Sequence, residues 1–421
     1  MGFLVSSTLW KRRLWAKPSL PALGRELRKI YLDALPDDAL RERLSVWERE
    51  GGVTAVWHPA EEGLSIDLQA DGSLTAWAKT NTVGPGYHAF LVDLLERIAT
   101  QWGVRWRWED VDEDHSGDET GYAIARDPVR LQDQMAIWLH SVAEVLFEHE
   151  GAENLFVSMA IGPLPRFQGF VGSPTGIWSE PQFRRIADDV IEAYAAAPAF
   201  FPWWTPGFGA DFWNGMARVG VWCDVNWVGP RDQNERDTLR RVLDYDRRAL
   251  ALDPAHALDP ALRDELGWLL ERGTEIELPH REGPGYKRLP TRHRLFGGPW
   301  SVELPGHFIE HVLNDGNNLQ YVGDRRAVYV SSLTINAADA SLPPAAELLD
   351  TANRGERSDL SWSQDAILAS ARWEDDAEDS VRHLYAAFAV DGHLLLLTIS
   401  NELEASPDWA ESVARSVRRP E

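Results

Sequence analysis

Residues 53–79 read VTAVWHPAEEGLSIDLQADGSLTAWAK. Three stretches within them, 53–58, 64–69 and 74–79, alternate apolar and polar side chains with a period of two. That period puts one face of a strand into a core and the other outside. Glu61-Glu62-Gly63 and Asp71-Gly72 stand between the stretches and supply turn residues. The reading is an antiparallel meander of three strands.

The flanking sequence is helical. Upstream, Leu23, Leu27, Ile30 and Tyr31 recur at three- and four-residue spacing, and Leu40, Leu44 and Trp47 repeat the pattern beyond the break at Pro36-Asp37-Asp38. Downstream, a Gly-Pro-Gly-Tyr turn (84–87) feeds a helix with Phe90, Leu91, Leu94, Leu95 and Ile98 on one face. A strand at 104–108 and a helix at 129–148 follow, then a strand at 153–161. Ser179 and Gln182 form a capping box for a helix that runs to about 196. A strand is expected at 217–227, with helices at 233–252 and 260–272. Antiparallel strands with packed helices make the fold class α+β.

Residues 275–299 are rich in Gly, Pro and charge and read as a linker. The chain therefore divides into a basic N-terminal arm (1–30), an α+β domain (31–274), the linker and a smaller α+β domain (300–421). In the last, the order is strands, helix, strands, helix. Trp300 to Pro305, the hairpin that ends Tyr329-Val330-Ser331-Ser332-Leu333, and HLLLLTIS (393–400) followed by a closing helix carry that order. This pattern resembles the PsbP-like (DcrB-like) fold family and covers about a quarter of the chain. The resemblance implies an α/β sandwich used as a binding or accessory module.

Composition narrows the function. The chain has 421 residues, enough for two domains with sizeable cores, and a single cysteine, which excludes an intramolecular disulfide and a Cys-based zinc site. No apolar run approaches the ~20 residues of a membrane helix. The opening residues place Lys11, Arg12 and Arg13 after a short apolar patch, the reverse of a secretory leader. The expected location is the bacterial cytoplasm. The formal charge is −24. Residues 1–30 carry seven bases and one acid, whereas residues 31–200 carry 29 acids and 12 bases. Such a surface repels phosphate backbones, making nucleic acid an unlikely partner, and attracts a basic protein.

Several short patterns compete for a chemical role. His307-Phe308-Ile309-Glu310-His311 is an H-x-x-E-H. On a helix, His307 and His311 would lie one turn apart as zinc ligands with Glu310 as base, the basis of an alternative reading as a zinc-dependent hydrolase. The acidic loop at 108–122 partly fits a calcium loop counted from Asp112, but Ala123 stands where the bidentate Glu belongs. The first Gly-Pro-Gly-Tyr could hold an anion at a helix start, yet it lacks the Lys-Ser/Thr of a phosphate loop. Cys223 reads as a buried thiol in mid-strand.

No cofactor is expected. The favoured reading is a non-catalytic interaction protein, similar in acidity and Trp content to bacterial toxin-immunity proteins, that occludes a basic toxin or effector. An accessory role in a larger assembly is a further alternative. The expected contact residues are Asp110, Asp112, Glu113, Asp114, Asp118 and Glu119 of the acidic loop, with Trp203, Trp204 and Trp213 of the Pro- and Gly-rich loop as aromatic anchors.

Overall fold

The computed structural model describes residues 1–9, 19–109, 117–148, 170–272, 283–295, 299–313, 318–323, 325–334, 342–353 and 358–419. The chain is α+β and forms two compact units, residues 1–225 with 230–272, and residues 226–229 with 273–421.

The first unit begins with β1 (Gly2–Leu9), α1 (Leu20–Ala34) and a single turn, α2 (Asp38–Arg41). The meander follows as β2 (Ser45–Arg49), β3 (Gly52–Val56), β4 (Leu64–Leu68) and β5 (Leu74–Lys79). Next come α3 (Pro85–Trp102), β6 (Val104–Arg107) and the short β7 (Gly117–Asp118). The strands join in the order β2-β3-β4-β5-β1-β6, with β7 also on β1. Residues 2–9, which the sequence assigns to an arm, are thus an interior strand, while 10–18 lie outside the described residues. The sheet buries Val5, Val53, Ile66 and Ala76 beneath α1, which contributes Leu23, Leu27, Ile30 and Tyr31, and α3, which contributes Leu91, Leu94 and Ile98. The expected second helix is cut short because 45–49 pair with β3, leaving Trp47 on an edge strand.

A helical layer completes this unit. It comprises α4 (Tyr122–Ala125), α5 (Pro128–Glu148), the hairpin β8 (Phe170–Ser173) and β9 (Gly176–Ser179), α6 (Glu180–Asp188), α7 (Val190–Phe200), α8 (Ala210–Val219), α9 (Gln233–Leu252) and α10 (Pro260–Glu271). The Ser179–Gln182 capping box is present with both reciprocal hydrogen bonds. The helix it starts stops at Asp189, whose side chain caps α7 in turn. Residues 153–161 lie outside the described residues. The strand expected at 217–227 is instead the end of α8 continuing into a π-helical turn, Gly220–Asp224. Val219, Val221 and Cys223 alternate like a strand, but Gly220 lets α8 approach Val242 of α9 closely, and the packed helix wins.

In the second unit, β10 (Pro290–Leu295) pairs with β11 (Trp300–Pro305), so part of the expected linker is a strand. A seven-stranded antiparallel sheet follows, built from β12 (Ile309–Leu313), β13 (Asn318–Gly323), β14 (Arg326–Thr334), β15 (Leu360–Gln364), β16 (Ile367–Asp376), β17 (Val381–Val390) and β18 (His393–Glu402) in the order β12-β13-β14-β18-β17-β16-β15. Two helices accompany it, α11 (Ala345–Asn353) and α12 (Asp408–Arg415). On the inner face, Tyr321, Val328, Leu384, Phe388, Leu397 and Ile399 form one core with Trp300 and Val302 of β11 and Val413 of α12. On the other face α11 packs on Leu368, Ala389 and Leu394 at one end, where its Asn353 accepts the Ser370 hydroxyl at 3.0 Å.

Candidate functional site

The densest collection of reactive side chains lies around residues 80–88, between β5 and α3. Trp203 fixes this segment from both sides. Its N–H donates to the Val83 carbonyl at 2.9 Å, and its carbonyl accepts from the Gly86 N–H at 2.9 Å. Gly84 has φ +116°, and a Cβ on Gly86 would overlap the Trp203 indole, so both glycines are required here. The Gly86 N–H, the donor on which an anion site at this helix start would draw, is therefore already used.

From this turn, Tyr87 and His88 enter separate networks. His88 Nδ1 is 3.0 Å from the Thr80 hydroxyl, while Nε2 is 3.2 Å from Asp118 Oδ1 and 3.1 Å from the Thr120 hydroxyl. Asp118 also accepts from the Thr120 N–H (2.9 Å), the Thr120 hydroxyl (2.7 Å) and the Ala123 N–H (2.7 Å). Burial favours the neutral acid, but His88 and these donors outweigh it and hold the Asp118 carboxyl at about 2. Hydroxyl, imidazole and carboxylate in this sequence are the arrangement that activates a nucleophile. Here, however, Thr80 and His88 are 0% exposed and Asp118 only 3%, so the hydroxyl meets no solvent-borne reactant. The network ties β7 and the 118–123 turn to α3.

Glu61 anchors the second network. Oε1 accepts from the Trp57 N–H and, at 2.6 Å, the His58 N–H, and Oε2 accepts from the Tyr87 hydroxyl. Burial raises the carboxyl to about 7, against the pull of these donors and of the Arg43 charge. His58 accepts the Ala60 N–H on Nδ1 (3.1 Å), and burial, helped by Arg43, lowers it to about 3, so it is neutral. Among the described residues, His58 Nε2, Trp57 Nε1, Tyr31 Oη, Asn81 Oδ1 and Thr82 Oγ1 are buried without a hydrogen bond.

Several residues expected to form a surface lie inside. Trp203 is fully buried among Trp57, Phe90, Phe208 and Phe212, and its Nε1 donates to the Gly207 carbonyl at 2.8 Å. Trp213 is buried against Tyr245 beneath the Arg248 guanidinium. Trp204 is half-buried and stacks on Phe201. The loop's prolines and glycines make it compact enough to fill a core, and its indoles are that core. Asp118 is buried as described, and Glu119 is exposed, with Oε2 accepting the Gly2 N–H at 3.2 Å. Asp110, Asp112, Glu113 and Asp114 lie outside the described residues, and with them most of the calcium-like loop.

His307-x-x-Glu310-His311 is not helical. His307 precedes β12, and Glu310 and His311 are consecutive residues within it, so their side chains leave opposite faces of the sheet. Glu310 accepts the Tyr321 hydroxyl at 2.7 Å on the core side. The one-turn spacing that zinc ligation required is absent, and no group of three or more His, Cys, Asp or Glu among the described residues could hold a metal ion. Cys223 is buried, 3.6 Å from the Pro174 carbonyl, in the π-helical turn.

No protein-family model matches the chain, and no curated protein does. A solved structure from Bacteroides thetaiotaomicron aligns with 9% identity and a TM-score of 0.24, over 29% of this chain and 45% of its own. So slight a likeness bears on neither fold nor function.

What the second unit presents to solvent is different in kind. Register places His311, Gln320, Tyr329, Thr398, Tyr385 and Arg372 in one row across the sheet face opposite the core. Tyr329 is exposed there, as are Ile309 and Leu396 in the adjacent rows and Leu333 one row beyond Leu396. Glu374, Asp376 and Glu402 occupy the same face at the end away from α11. No described helix is long and apolar enough to cross a membrane.

Proposed function

We propose that the chain is a non-catalytic, cytoplasmic interaction protein that binds a basic protein and, in the manner of an immunity protein, occludes it. The observation that carries this reading is the outer face of the C-terminal sheet, opposite its core. Aromatic and aliphatic side chains stand exposed along it, Ile309 on the edge strand β12, Tyr329 and Leu333 on β14 and Leu396 on β18, and Glu374, Asp376 and Glu402 border one end, Glu374 paired with Arg372 and Glu402 with Arg325. Exposed apolar and aromatic anchors beside a polar, charged border are what protein interfaces are made of. The net charge of −24 selects a basic partner and speeds the encounter. The buried Thr80–His88–Asp118 and Glu61–Tyr87 networks support the same reading, since their reactive groups are committed to holding the fold. The resemblance of the C-terminal domain to PsbP-like modules belongs to this proposal too.

The test is capture by the tagged protein from its own organism at low and high salt, beside the Tyr329→Asp/Leu396→Asp double variant. One basic protein, retained at low salt, released as salt rises and lost by the folded variant, supports the reading. A partner held equally by the variant, or none at all, overturns it.

A further inference from the structure

The chain enters the second unit twice. Residues 273–421 supply most of it, and Asn226–Gly229, taken from the middle of the first unit's sequence, supply the rest. Trp227 is 2% exposed and has φ +61°, a left-handed conformation that a bulky side chain seldom takes. Its indole N–H is buried without a hydrogen bond. Both features disfavour this placement, so the surroundings must hold it. They do so from one short stretch, residues 285–288. Gly285 (φ +130°) leaves room where a Cβ would overlap the Trp227 indole. The Arg288 guanidinium lies 3.5 Å from the ring centroid, and Lys287 Nζ donates to Asn226 Oδ1 at 2.6 Å. This seat leads directly into β10. Just past β11, the Gly306 N–H donates to the Leu289 carbonyl at 3.0 Å, so the strand pair is tied to the seat at that end.

We propose that Asn226–Gly229 is a strap, through which the order of β10 and β11 depends on the folded state of α8 and α9. Both ends of the segment are fixed by first-unit elements. On one side the Val225 N–H donates to the Gly220 carbonyl at 2.9 Å and closes the π-helical turn that continues α8. On the other, the Arg231 N–H donates to Glu235 Oε2 at 2.8 Å, and the Asp232 side chain caps α9. A free segment would lose conformational entropy on taking up the left-handed Trp227 conformation. Held at both ends by folded helices, this one has already lost most of it, and the indole is presented ready for its seat. The seat is therefore filled firmly while α8 and α9 are folded, and weakly once they open. Loss of structure in the first unit passes through Trp227 to the strand pair that opens the second.

Hydrogen exchange of the intact protein across a urea series, read by mass spectrometry, tests this. The variants are Trp227→Ala, Trp227→Phe and Lys287→Met, each checked for folding by circular dichroism. In the wild type, the amides of β10 and β11 should open at the same urea concentration as those of α8 and α9. Without urea, Trp227→Ala should speed exchange in β10 and β11 by about tenfold or more, while α8 and α9 keep their rates. Trp227→Phe retains a ring beneath Arg288 and should fall between. Lys287→Met removes a single hydrogen bond and should give the same footprint more weakly, which decides the matter if Trp227→Ala does not fold. Strands β10 and β11 that open independently of α8 and α9 in the wild type overturn the proposal, as do wild-type rates there in the folded variants. Faster exchange confined to α8 and α9 also overturns it, because the segment would then be an ordinary loop of the first unit.

Discussion

Tyr87, in the first turn of α3, donates its phenolic hydrogen to Oε2 of Glu61, and both side chains are buried. The bond joins the β3–β4 connection to the start of the helix and leaves a carboxyl that titrates near neutrality. Its pKa rises from 4.5 to about 7 because burial penalises the charged form. The folded state therefore holds this proton more firmly than the unfolded chain does. The stability it contributes is complete below pH 4.5 and is lost as pH rises through 7, the reverse of an ordinary carboxylate.

Glu61→Gln carries the neutral form at every pH. Relative to the wild type, this variant should gain stability between pH 5 and pH 8, by on the order of 3 kcal/mol if the whole shift is expressed. Urea midpoints at the two pH values measure it. A difference between the two proteins that does not change with pH would show that Glu61 is ionised in the fold throughout.

His88→Ala removes one of four donors to the buried Asp118 carboxylate. Losing a hydrogen bond to a charged group costs about 1.5–3 kcal/mol. A loss below about 1 kcal/mol would mean that solvent reaches Asp118. The Asp118 carboxyl, held at about 2, stabilises the fold above pH 3.8, and that contribution falls away only as pH drops toward 2.

Cys223 gives a local reporter, since it is the chain's single cysteine and is buried in the first unit. An aromatic disulfide reagent should label it slowly in the native protein and at once in urea, with the native rate rising in His88→Ala. Fast labelling of the native wild type would contradict the buried placement.

Two glycine substitutions should act in opposite directions. Gly86→Ala drives a methyl into the Trp203 indole and should destabilise by about 1–3 kcal/mol, the usual cost of overpacking. Gly267 sits inside α10 with nothing within 4 Å of a Cβ, so Gly267→Ala should stabilise by about 0.5–1 kcal/mol. Thermal or urea unfolding distinguishes the two, and a shift in the same direction for both would overturn the packing at Gly86.

Much of the architecture is legible where local pattern and tertiary contact agree. Alternation at 64–68 and 74–79 survives as β4 and β5, and HLLLLTIS as β18, because one face of each meets a core. Trp47 departs from its helical spacing because sheet pairing outweighs a weak local preference, and Val219 to Cys223 depart from theirs because α9 packs beside them. The site was harder to read. Thr80, His88 and Asp118 are brought together by β7 joining β1, and no short motif spans that separation. The signal that was present is local, in the polar residues Thr80, Asn81, Thr82 and His88 crowded around a Gly-Pro-Gly turn. That turn recurs at 283–286, where a Cβ on Gly285 would overlap the Trp227 indole, so the two copies share a packing role.

The place of β1 bears on how the protein is made. Gly2 to Ser6 pair with β5, and Ser6 to Leu9 with β6, whereas β2, β3 and β4 pair only with near neighbours in sequence. During synthesis the apolar strand GFLVSSTL leaves the ribosome well before Lys79 and Arg107 exist to flank it. At about 5–20 residues per second it waits roughly 4–15 s for its first partner. Over that interval a nascent chain depends on chaperones, or on the speed of translation itself, to keep this strand from pairing with the wrong neighbour.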